Sequence, residues 1–390
     1  MKIKSLSKIK NLKNKKVLLR VDFNIPQTAK RLGDDYRLRA ALPTINYLLD
    51  RGAAVILISH WGDPVRPEKQ LSTQRLAKLL QKISNLKVKF VPDIVGDKTQ
   101  QAAASLQSGE IIFLENLRFH AGEKKNETAF AKKLAALADY YVNDAFSVCH
   151  RAQASVSVIT KYLPAFAGLQ LEQELLNLER IIKPKKPLVL VMGGAKISTK
   201  APIIKKLYKT ANQILIGGGI ANSFLKKQGL EIGRSLYDQE SLKKLSVFFK
   251  AKNVLDKIVL PVDVVVKDNR GYCRSRDVKE VKKSDTILDV GPQTISLFSA
   301  YIKKAQTIAW NGPLGKFEES AYKHGTLAIA AIIAARSTGA AFGVVGGGET
   351  VAALKLTQMQ GHVDWVSTGG GAMLSYLGGE KMPGLKNIIS

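Results

Sequence analysis

The chain has 390 residues, a formal net charge of +28, 45% apolar residues and 24% charged residues. These values exclude a largely disordered or fibrous protein, and the chain is too long for one ordinary hydrophobic core. We therefore predict a globular protein of two domains, with three as the alternative that length alone leaves open.

The positive charge does not identify a ligand by itself. Lys and Arg are spread along the whole chain, and aromatic residues make up only 7% of it. A nucleic acid, an anionic membrane surface or a small polyanionic substrate would each suit this charge. The even spread and the scarcity of aromatic stacking side chains favour a basic, solvated surface for most of it, with no nucleic-acid partner.

The cysteines and the apolar runs bear on the compartment. Only two cysteines are present, Cys149 and Cys273, which excludes a disulfide framework and a multi-cysteine metal site. The first ten residues carry charge but lack the apolar centre of a signal peptide, and no apolar run reaches the ~18–20 residues that span a bilayer. The sequence predicts a cytoplasmic protein with no membrane partner.

Short apolar runs alternate with segments of helical periodicity in the first half of the chain. The predicted strands are 17–21, 53–58, 88–91, 111–114 and 140–142, and the predicted helices are 37–49, 73–83 and 128–137. In the second half we predict strands at 188–192, 213–216, 258–266, 307–310 and 341–345. This alternation is typical of parallel sheets covered by helices on both faces.

A change of pattern separates the two halves. Leu171, Leu175, Leu178 and Ile182 recur at helical spacing, and a proline-rich segment ends at Pro187. The fold class predicted is α/β, with two doubly wound parallel-sheet domains joined by a helix and hinge. We assign the first domain to residues 1–167, the helix and hinge to 168–187 and the second domain to 188–371, with a tail, 372–390, that packs back on the first domain.

Different residue types follow the strands of the two halves. Ligands of open parallel sheets bind at the carboxyl ends of the strands, so these positions are the candidates for a site. In the first half they carry polar and cationic side chains, namely Asp22, Asn24, His60, Asn116, Arg118, Asp144 and Arg151. In the second half they carry Gly193-Gly194, Gly217 to Gly219, Asn311-Gly312-Pro313 and Gly346 to Thr350. Side-chain cations suit a small charged substrate, and exposed backbone N–H groups suit nucleotide phosphates.

The stretch from Leu188 to Lys200 combines a buried-type strand, two glycines and two lysines. If a helix begins after Gly194, Lys196 and Lys200 lie near one face of its first turn, beside N–H groups that favour phosphate. The alternative is a tight strand-to-helix turn with two solvated lysines. Each other candidate has a similar alternative, because glycine triplets often form plain turns and histidines are often structural. The P-loop, the Rossmann fingerprint and the protein-kinase signatures are absent.

Longer motifs match one family in order. The chain resembles the phosphoglycerate kinases over essentially its full length. In the first half the matching motifs are Arg20 to Pro26, Arg37 with Ala41 to Ile45, Glu115 to His120 and Tyr141 to Phe146. In the second half they are Gly193 to Lys196, Gly217 to Asn222, Leu260 to Asp263, Trp310 to Pro313, Gly346 to Thr350 and Ser367 to Gly371.

The resemblance implies an enzyme that moves a phosphoryl group between 1,3-bisphosphoglycerate and Mg-ADP, giving 3-phosphoglycerate and Mg-ATP. We expect the protein to be a monomer. The resemblance also implies Arg37 and Lys196 as catalytic residues. The phosphoglycerate ligands carried over from the family are Asp22, Phe23, Asn24, Arg37, His60, Arg118 and Arg151. The first domain would thus bind phosphoglycerate and the second the nucleotide.

The nucleotide ligands carried over are Lys200, Gly217, Gly218, Asn311, Glu318, Gly347, Gly348, Glu349 and Thr350. Glu318 would contact the ribose, and Glu349 stands at the position that reaches Mg²⁺ in the family. Backbone N–H groups of Gly348, Gly370 and Gly371 are expected to stabilise the negative charge of the phosphoryl group. ADP or ATP is the expected co-substrate.

Several positions depart from the family pattern. Asp63 stands where an arginine is expected, so an anion lies near the predicted phosphate site unless Arg66 or a neighbouring cation compensates for it. One histidine of the family is Gln153 here, Glu349 and Thr199 each replace an aspartate, and Lys316 replaces an apolar residue. A second hypothesis therefore stays open, namely a catalytically weakened member that serves as a binding protein, for instance for nucleic acid.

Overall fold

The computed structural model describes residues 2–26, 35–240 and 256–390. The chain divides into two compact units: an N-terminal unit of Met1–Leu175 with Lys381–Ser390, and a C-terminal unit of Leu176–Glu380. The predicted helix and hinge at 168–187 and the predicted start of the tail at 372 stay predictions. Within the described ranges, no helix is both long enough and apolar enough to cross a membrane.

A parallel sheet of six strands forms the centre of the N-terminal unit. Its order is β3-β4-β2-β1-β5-β6, and all five pairings are parallel. The strands are β1 (Lys16–Arg20), β2 (Ala54–Ile58), β3 (Val88–Val91), β4 (Ile111–Leu114), β5 (Tyr140–Asn143) and β6 (Ala165–Ala167). The central strands β1, β2 and β4 are almost wholly buried, which explains their continuous apolar sequences.

Helices cover this sheet. They are α1 (Tyr36–Asp50), α2 (Gln74–Ser84), α3 (Asp97–Ser105), α4 (Ala121–Lys124), α5 (Thr128–Ala135) and α6 (Leu169–Ile182), the last of which contains the boundary between the units. Short 3-10 helices lie at Leu6–Lys8, Lys69–Leu71, Leu117–Phe119, Phe146–Val148, Val158–Lys161 and Pro383–Leu385. The apolar residues of α2, such as Leu76 and Leu80, are buried at helical spacing against the sheet core.

A second parallel sheet of six strands forms the centre of the C-terminal unit. Its order is β15-β14-β13-β7-β8-β9. The strands are β7 (Leu188–Met192), β8 (Gln213–Ile216), β9 (Ile258–Val259), β13 (Thr307–Asn311), β14 (Phe342–Gly346) and β15 (Trp365–Ser367). From β7 the sheet grows through β8 and β9 to one side and through β13 to β15 to the other. The switch point therefore lies between β7 and β13, where ligands of doubly wound sheets bind.

A small antiparallel sheet belongs to the same unit. It has the order β11-β10-β12, with β10 (Asp263–Lys267), β11 (Cys273–Asp277) and β12 (Thr286–Val290). The prediction of one strand over 258–266 is wrong, because Pro261 separates β9 from β10 and the two belong to different sheets.

The helices described in the C-terminal unit follow its strands. They are α7 (Ala201–Leu207), α8 (Gly218–Lys227), α9 (Pro292–Lys304), α10 (His324–Ser337), α11 (Gly348–Leu356) and α12 (Gly371–Leu377), with 3-10 helices at Ile197–Thr199, Ser320–Tyr322 and Gln360–His362. Two parallel, helix-covered sheets confirm the predicted α/β class. Four strands were missed, namely β6, β11, β12 and β15.

Candidate functional site

The loop after β1 places Asp22 at the carboxyl edge of the N-terminal sheet. Its side chain is almost buried, and its Oδ2 accepts hydrogen bonds from the Arg37 guanidinium and the Ser147 hydroxyl. Its Oδ1 accepts from the backbone N–H of Asn24 at 3.2 Å. Asp22 therefore holds Arg37, which comes from the first turn of α1, beside the end of β1.

The loop after β2 is fixed by side chains from two neighbouring loops. Asn24 accepts a hydrogen bond from Gly62 N at 2.8 Å, and Asn116 bonds both backbone groups of Trp61, at 3.2 Å to N–H and 2.8 Å to C=O. The Ser59 hydroxyl accepts from Phe23 N at 3.1 Å. These bonds satisfy loop backbone groups and hold His60 in one position.

His60 is buried among cations. Arg20 Nη2 lies 3.0 Å from His60 Nδ1. Burial lowers the pKa of His60 well below its usual value, and Arg20, Arg118, Arg37 and Arg151 lower that pKa further. His60 is therefore neutral at physiological pH, and its ring is a donor or acceptor of hydrogen bonds rather than a cation.

Arg118, in the 3-10 helix Leu117–Phe119 after β4, has unsatisfied hydrogen-bond donors. It is only 7% exposed, and its Nη1 donates to the carbonyl of Gly62. Its Nε and Nη2 are buried and have no hydrogen-bond partner in the part of the chain that the structure describes. Buried guanidinium donors are rarely left unpaired, and an anionic ligand would satisfy them.

Asp63 is compensated by neighbouring cations. Its Oδ1 lies 2.5 Å from Lys124 Nζ and 3.4 Å from Arg118 Nη1, and the hydrogen bond from Lys124 lowers the pKa of Asp63. Arg66 is exposed, and no described carboxylate pairs with it. The anion at position 63 is thus paired within the loop cluster.

The structure brings most predicted phosphoglycerate ligands together. Asp22 contacts Arg37, Asn24 and Arg118 both contact Gly62, and exposed Arg151 lowers the pKa of His60. Phe23 differs, because its ring is fully buried and packs edge-on against Phe113, with the centroids 5.7 Å apart. Its ring is therefore not available to a ligand.

The turns after β7 and β13 cross closely at the switch point of the C-terminal sheet. Gly194 N donates to Pro313 O at 2.8 Å, and Gly218 N donates to Leu314 O at 2.9 Å. A Cβ at Gly193 would lie 2.1 Å from Pro313 O, so only glycine permits this approach. The glycines thus allow three turns to meet at one edge.

A cavity of about 480 Å³ opens beside these turns. Its apolar lining includes Leu236, Val264, Ile287 and Leu314, and the predicted residues Gly218, Glu318 and Glu349 also line it. An apolar cleft bordered by the first turns of two helices, α8 and α11, and by a few polar side chains has the composition of a nucleotide site.

A buried polar cluster lies at the ends of β13 and β14. Lys200 is 7% exposed, and its ammonium donates to Asn311 Oδ1. Asn311 Nδ2 donates to Gly346 O at 2.7 Å, and the Thr350 hydroxyl accepts from Gly312 N at 2.7 Å. Burial lowers the pKa of Lys200 to about 8, although Glu349 acts in the opposite direction.

Lys196 and Lys200 differ in environment. Lys196 is exposed and precedes the 3-10 helix Ile197–Thr199, whereas buried Lys200 precedes α7. The expectation that one helical turn carries both is therefore wrong, because the 3-10 helix separates them. Lys196 has no ion-pair partner within the described ranges, so its ammonium is free to meet a ligand.

The remaining predicted residues lie at helix starts and at one turn. Gly347, with a φ of +100° that favours glycine, caps α11, which begins at Gly348 and carries exposed Glu349 in its first turn. Gly217 caps α8. Gly370 and Gly371 stand at the start of α12.

Some residues of these sites were missed from the sequence. Arg20, Ser147, Lys124 and Glu123 belong to the N-terminal cluster, and Leu236, Ile287, Leu288 and Asp289 line the cavity. These residues could not be predicted, because ordinary polar and apolar residues at distant positions form no sequence motif. Arg20 is the exception, since it is the first residue of a motif that matches the family.

One doubly wound unit presents an arginine cluster, and the other presents glycine-rich turns beside an apolar cavity. This combination defines the class of two-domain α/β phosphotransferases. Similarity to known proteins narrows the class to one family. The family model described as phosphoglycerate kinase matches residues 6–380, and the chain belongs to that family.

Relatives and solved structures agree with this assignment. Phosphoglycerate kinases of Wolbachia sp. subsp. Drosophila simulans and of Moorella thermoacetica are each 43% identical to the chain, over 96% of both partners in each comparison. The solved structure of phosphoglycerate kinase from Coxiella burnetii superposes with a TM-score of 0.87 at 38% identity, covering 99% of each chain. The enzyme from Pyrococcus horikoshii OT3 gives a TM-score of 0.84 at 33% identity, covering 98% of each chain.

Proposed function

We propose that the chain catalyses the reversible transfer of a phosphoryl group from 1,3-bisphosphoglycerate to Mg-ADP, giving 3-phosphoglycerate and Mg-ATP. Residues 1–167 bind the phosphoglycerate, residues 188–371 bind the nucleotide, and residues 168–187 serve as helix and hinge. The protein acts as a cytoplasmic monomer and takes neither membrane nor nucleic acid as a partner.

The buried, unsatisfied donors of Arg118 are the observation that carries this proposal. They lie among Arg37, His60 and Arg151, so the cluster offers several cations and a neutral imidazole to one small anion. Asp22 and Asn24 orient the loops and are expected to meet the hydroxyl and carboxylate of the substrate. Two unpaired donors on one buried guanidinium are uncommon in a surface that binds no ligand.

The reaction needs positive charge rather than a general base. The carboxylate of 3-phosphoglycerate and the terminal oxygen of ADP are both ionised at neutral pH, so no side chain must remove a proton. Arg37 and exposed Lys196 are the groups that stabilise charge on the moving phosphoryl group. The backbone N–H groups of Gly348, Gly370 and Gly371 are proposed to add fixed dipoles at the same place.

The nucleotide is proposed to occupy the apolar cavity. Leu236, Val264 and Ile287 would enclose the base, and Glu318, which also lines the cavity, would accept a hydrogen bond from the ribose. The phosphates would lie at the glycine-rich turns and at the start of α11, close to Lys200 and Thr350 of the buried polar cluster. Gly217, Gly218, Asn311 and Gly347 shape these turns.

Magnesium fits this site as an ion shared with the substrate. The described residues contain no cluster of three or more His, Cys, Asp or Glu that would form a complete protein site. Three carboxylates from the described part of the chain line the cavity, and one of them, Glu349, lies in the first turn of α11 beside the proposed phosphates. Mg²⁺ is commonly held by one or two carboxylates together with substrate phosphates. When bound, the ion would neutralise phosphate charge.

A coupled assay tests the proposed function directly. Wild-type protein is given millimolar 3-phosphoglycerate and Mg-ATP, and ADP formation is followed; glycerate, which lacks the phosphate, is the control substrate. We expect turnover with 3-phosphoglycerate and almost none with glycerate, because the arginine cluster requires the phosphate. Absence of turnover together with a salt-sensitive gel shift would instead support a nucleic-acid-binding protein.

A further inference from the structure

A chain of buried hydrogen bonds connects Glu123 to His60. The Glu123 carboxylate accepts from the Ser155 hydroxyl at 2.7 Å and from Ser155 N at 2.9 Å. The Ser155 hydroxyl accepts from Arg20 Nε at 3.0 Å, and Arg20 Nη2 lies 3.0 Å from His60 Nδ1. Residues from α4, the 151–157 loop, β1 and the loop after β2 thus form one connected series.

The series is isolated from water. Glu123, Ser155 and Arg20 are 0% exposed and His60 is 2% exposed. A buried guanidinium is costly unless an anion compensates for it, and Glu123 supplies that anion through a single hydroxyl group. The Arg20 Nη1 donates to Val21 O, which leaves Nη2 for the histidine. Removal of Glu123 or of the Ser155 hydroxyl would therefore disturb the placement of Arg20.

The donor at one end of the series determines the proton position on His60. A guanidinium has only donors, so His60 Nδ1 must accept and the ring proton must be on Nε2. Arg20, Arg37, Arg118 and Arg151 disfavour a second proton, and the acidic groups of the surroundings are Glu123 and Asp22, each already bonded to a hydroxyl. Nε2 makes no hydrogen bond within the described part of the chain, so its N–H is available to a ligand.

We propose that Glu123 and Ser155 are positioning residues that act through Arg20 to hold His60 as a neutral Nε2–H donor toward the anionic substrate. The inference rests on the proposed function, in which His60 contacts the phosphoglycerate. The other tautomer would present a lone pair to an anion and repel it. Through this buried series, the distant carboxylate of Glu123 makes the ligand-facing Nε2 of His60 a hydrogen-bond donor.

Two-bond ¹H–¹⁵N NMR of the imidazole rings measures the tautomer directly. The chain has five histidines, and His60→Gln assigns the His60 signals by their loss. We expect the wild type to show a neutral His60 in the Nε2–H form at pH 7. A wild type with Nδ1–H or with a charged His60 at pH 7 would overturn the proposal without any variant.

Two variants and a matched control test the positioning role. In Ser155→Ala and Glu123→Gln we expect a substantial Nδ1–H population and a KM for 3-phosphoglycerate that is about tenfold higher, with the KM for ATP unchanged. Tyr141→Phe is the control, because it removes a 2.7 Å hydrogen bond to the Ser155 carbonyl and leaves the series intact. It should lower stability alone.

The results of these experiments test the positioning role of Glu123 and Ser155 separately from the proposed function. If Ser155→Ala folds and keeps both the wild-type tautomer and the wild-type KM, the positioning role is refuted. If Tyr141→Phe changes the tautomer as much as Ser155→Ala does, the effect is a general loss of packing, which also refutes it. Because the NMR signal needs no turnover, an inactive wild type with an Nε2–H His60 would contradict the proposed function alone.

Discussion

The carboxylate of Asp63 lies 2.5 Å from the ammonium of Lys124, in the loop cluster that also contains Arg118. Asp63 therefore pairs with two cations, Lys124 and Arg118, that would otherwise be available to a substrate phosphate. The side chain of Asp63 is 68% exposed, so water screens this pair and limits its strength.

Asp63→Asn should improve binding of the phosphorylated acid. The substitution removes a negative charge near the proposed phosphate and frees Lys124 and Arg118. We expect the KM for 3-phosphoglycerate to fall about fivefold, since two charges at 4 Å in water interact by ~1 kcal/mol. Steady-state kinetics at low and high salt would measure the change, which salt should reduce.

A surface carboxylate of the same unit is the control for this substitution. Asp139 pairs with Lys15 at 3.6 Å, and its side chain is 42% exposed. Asp139→Asn should leave the KM unchanged. A higher KM in Asp63→Asn would show that Asp63 positions Lys124 for the substrate instead of competing with it.

Binding of ATP should draw protons to the protein in mildly alkaline solution. The pKa of Lys200 is lowered to about 8 by burial, so near pH 8 a large fraction of the free protein has a neutral amine. A nearby phosphate favours the ammonium and raises this pKa. Calorimetry at pH 8.5 in buffers of different ionisation enthalpy should show proton uptake that Lys200→Met abolishes. Equal heats in all buffers for the wild type would contradict this role.

The buried carboxyl of Asp289 should make stability depend on pH. Burial raises its pKa from 3.8 to about 7, although Gly325 N and Val290 N donate hydrogen bonds to it. The folded protein therefore binds this proton more tightly than the unfolded chain. The contribution to stability is present in acid and is lost as the pH rises from about 4 to about 7.

Asp289→Asn isolates this contribution. Denaturant unfolding between pH 4.5 and 7.5 should show that the wild type loses stability relative to the variant by about 1.4 kcal/mol per pH unit. Other carboxyls are common to both proteins and cancel in the difference. Parallel pH profiles for the two proteins would mean that Asp289 is already ionised in the folded state.

Gly193→Ala tests the close crossing of the turns after β7 and β13. The added methyl group would lie 2.1 Å from Pro313 O and 2.6 Å from Gly312 O, and backbone oxygens cannot rotate away. We expect a loss of about 1–3 kcal/mol in the free energy of unfolding and weaker ATP binding. Gly361→Ala, where no atom lies within 4 Å, should change neither quantity. Wild-type stability in Gly193→Ala would show that the crossing is loose.

The sequence predicted those parts of the fold that depend on local patterns. Buried parallel strands such as β2 and β7 are continuous apolar runs, and their bounds agree with the structure within one residue. The exposed edge strand β11, Cys273–Asp277, has no apolar run and was missed, since only pairing with β10 makes it a strand.

The candidate site was predictable only where motifs carry it. Glycine-rich turns and strand-end arginines indicated the edges of both sheets. The burial of Lys200 and the exposure of Lys196 depend on tertiary packing that no local spacing reveals. The hydrogen bonds between Glu123 and Ser155 join residues 32 positions apart and leave no trace in any short pattern.

The turnover of Lys196→Met tests the central claim most directly. This variant, the wild type and Lys205→Met, which removes an exposed lysine of α7, are assayed with saturating 3-phosphoglycerate and Mg-ATP. If exposed Lys196 stabilises the transferring phosphoryl group, Lys196→Met should lower kcat about a hundredfold or more without changing the fold. Lys205→Met should keep the wild-type kcat. A kcat for Lys196→Met within a few-fold of the wild-type value would contradict the account.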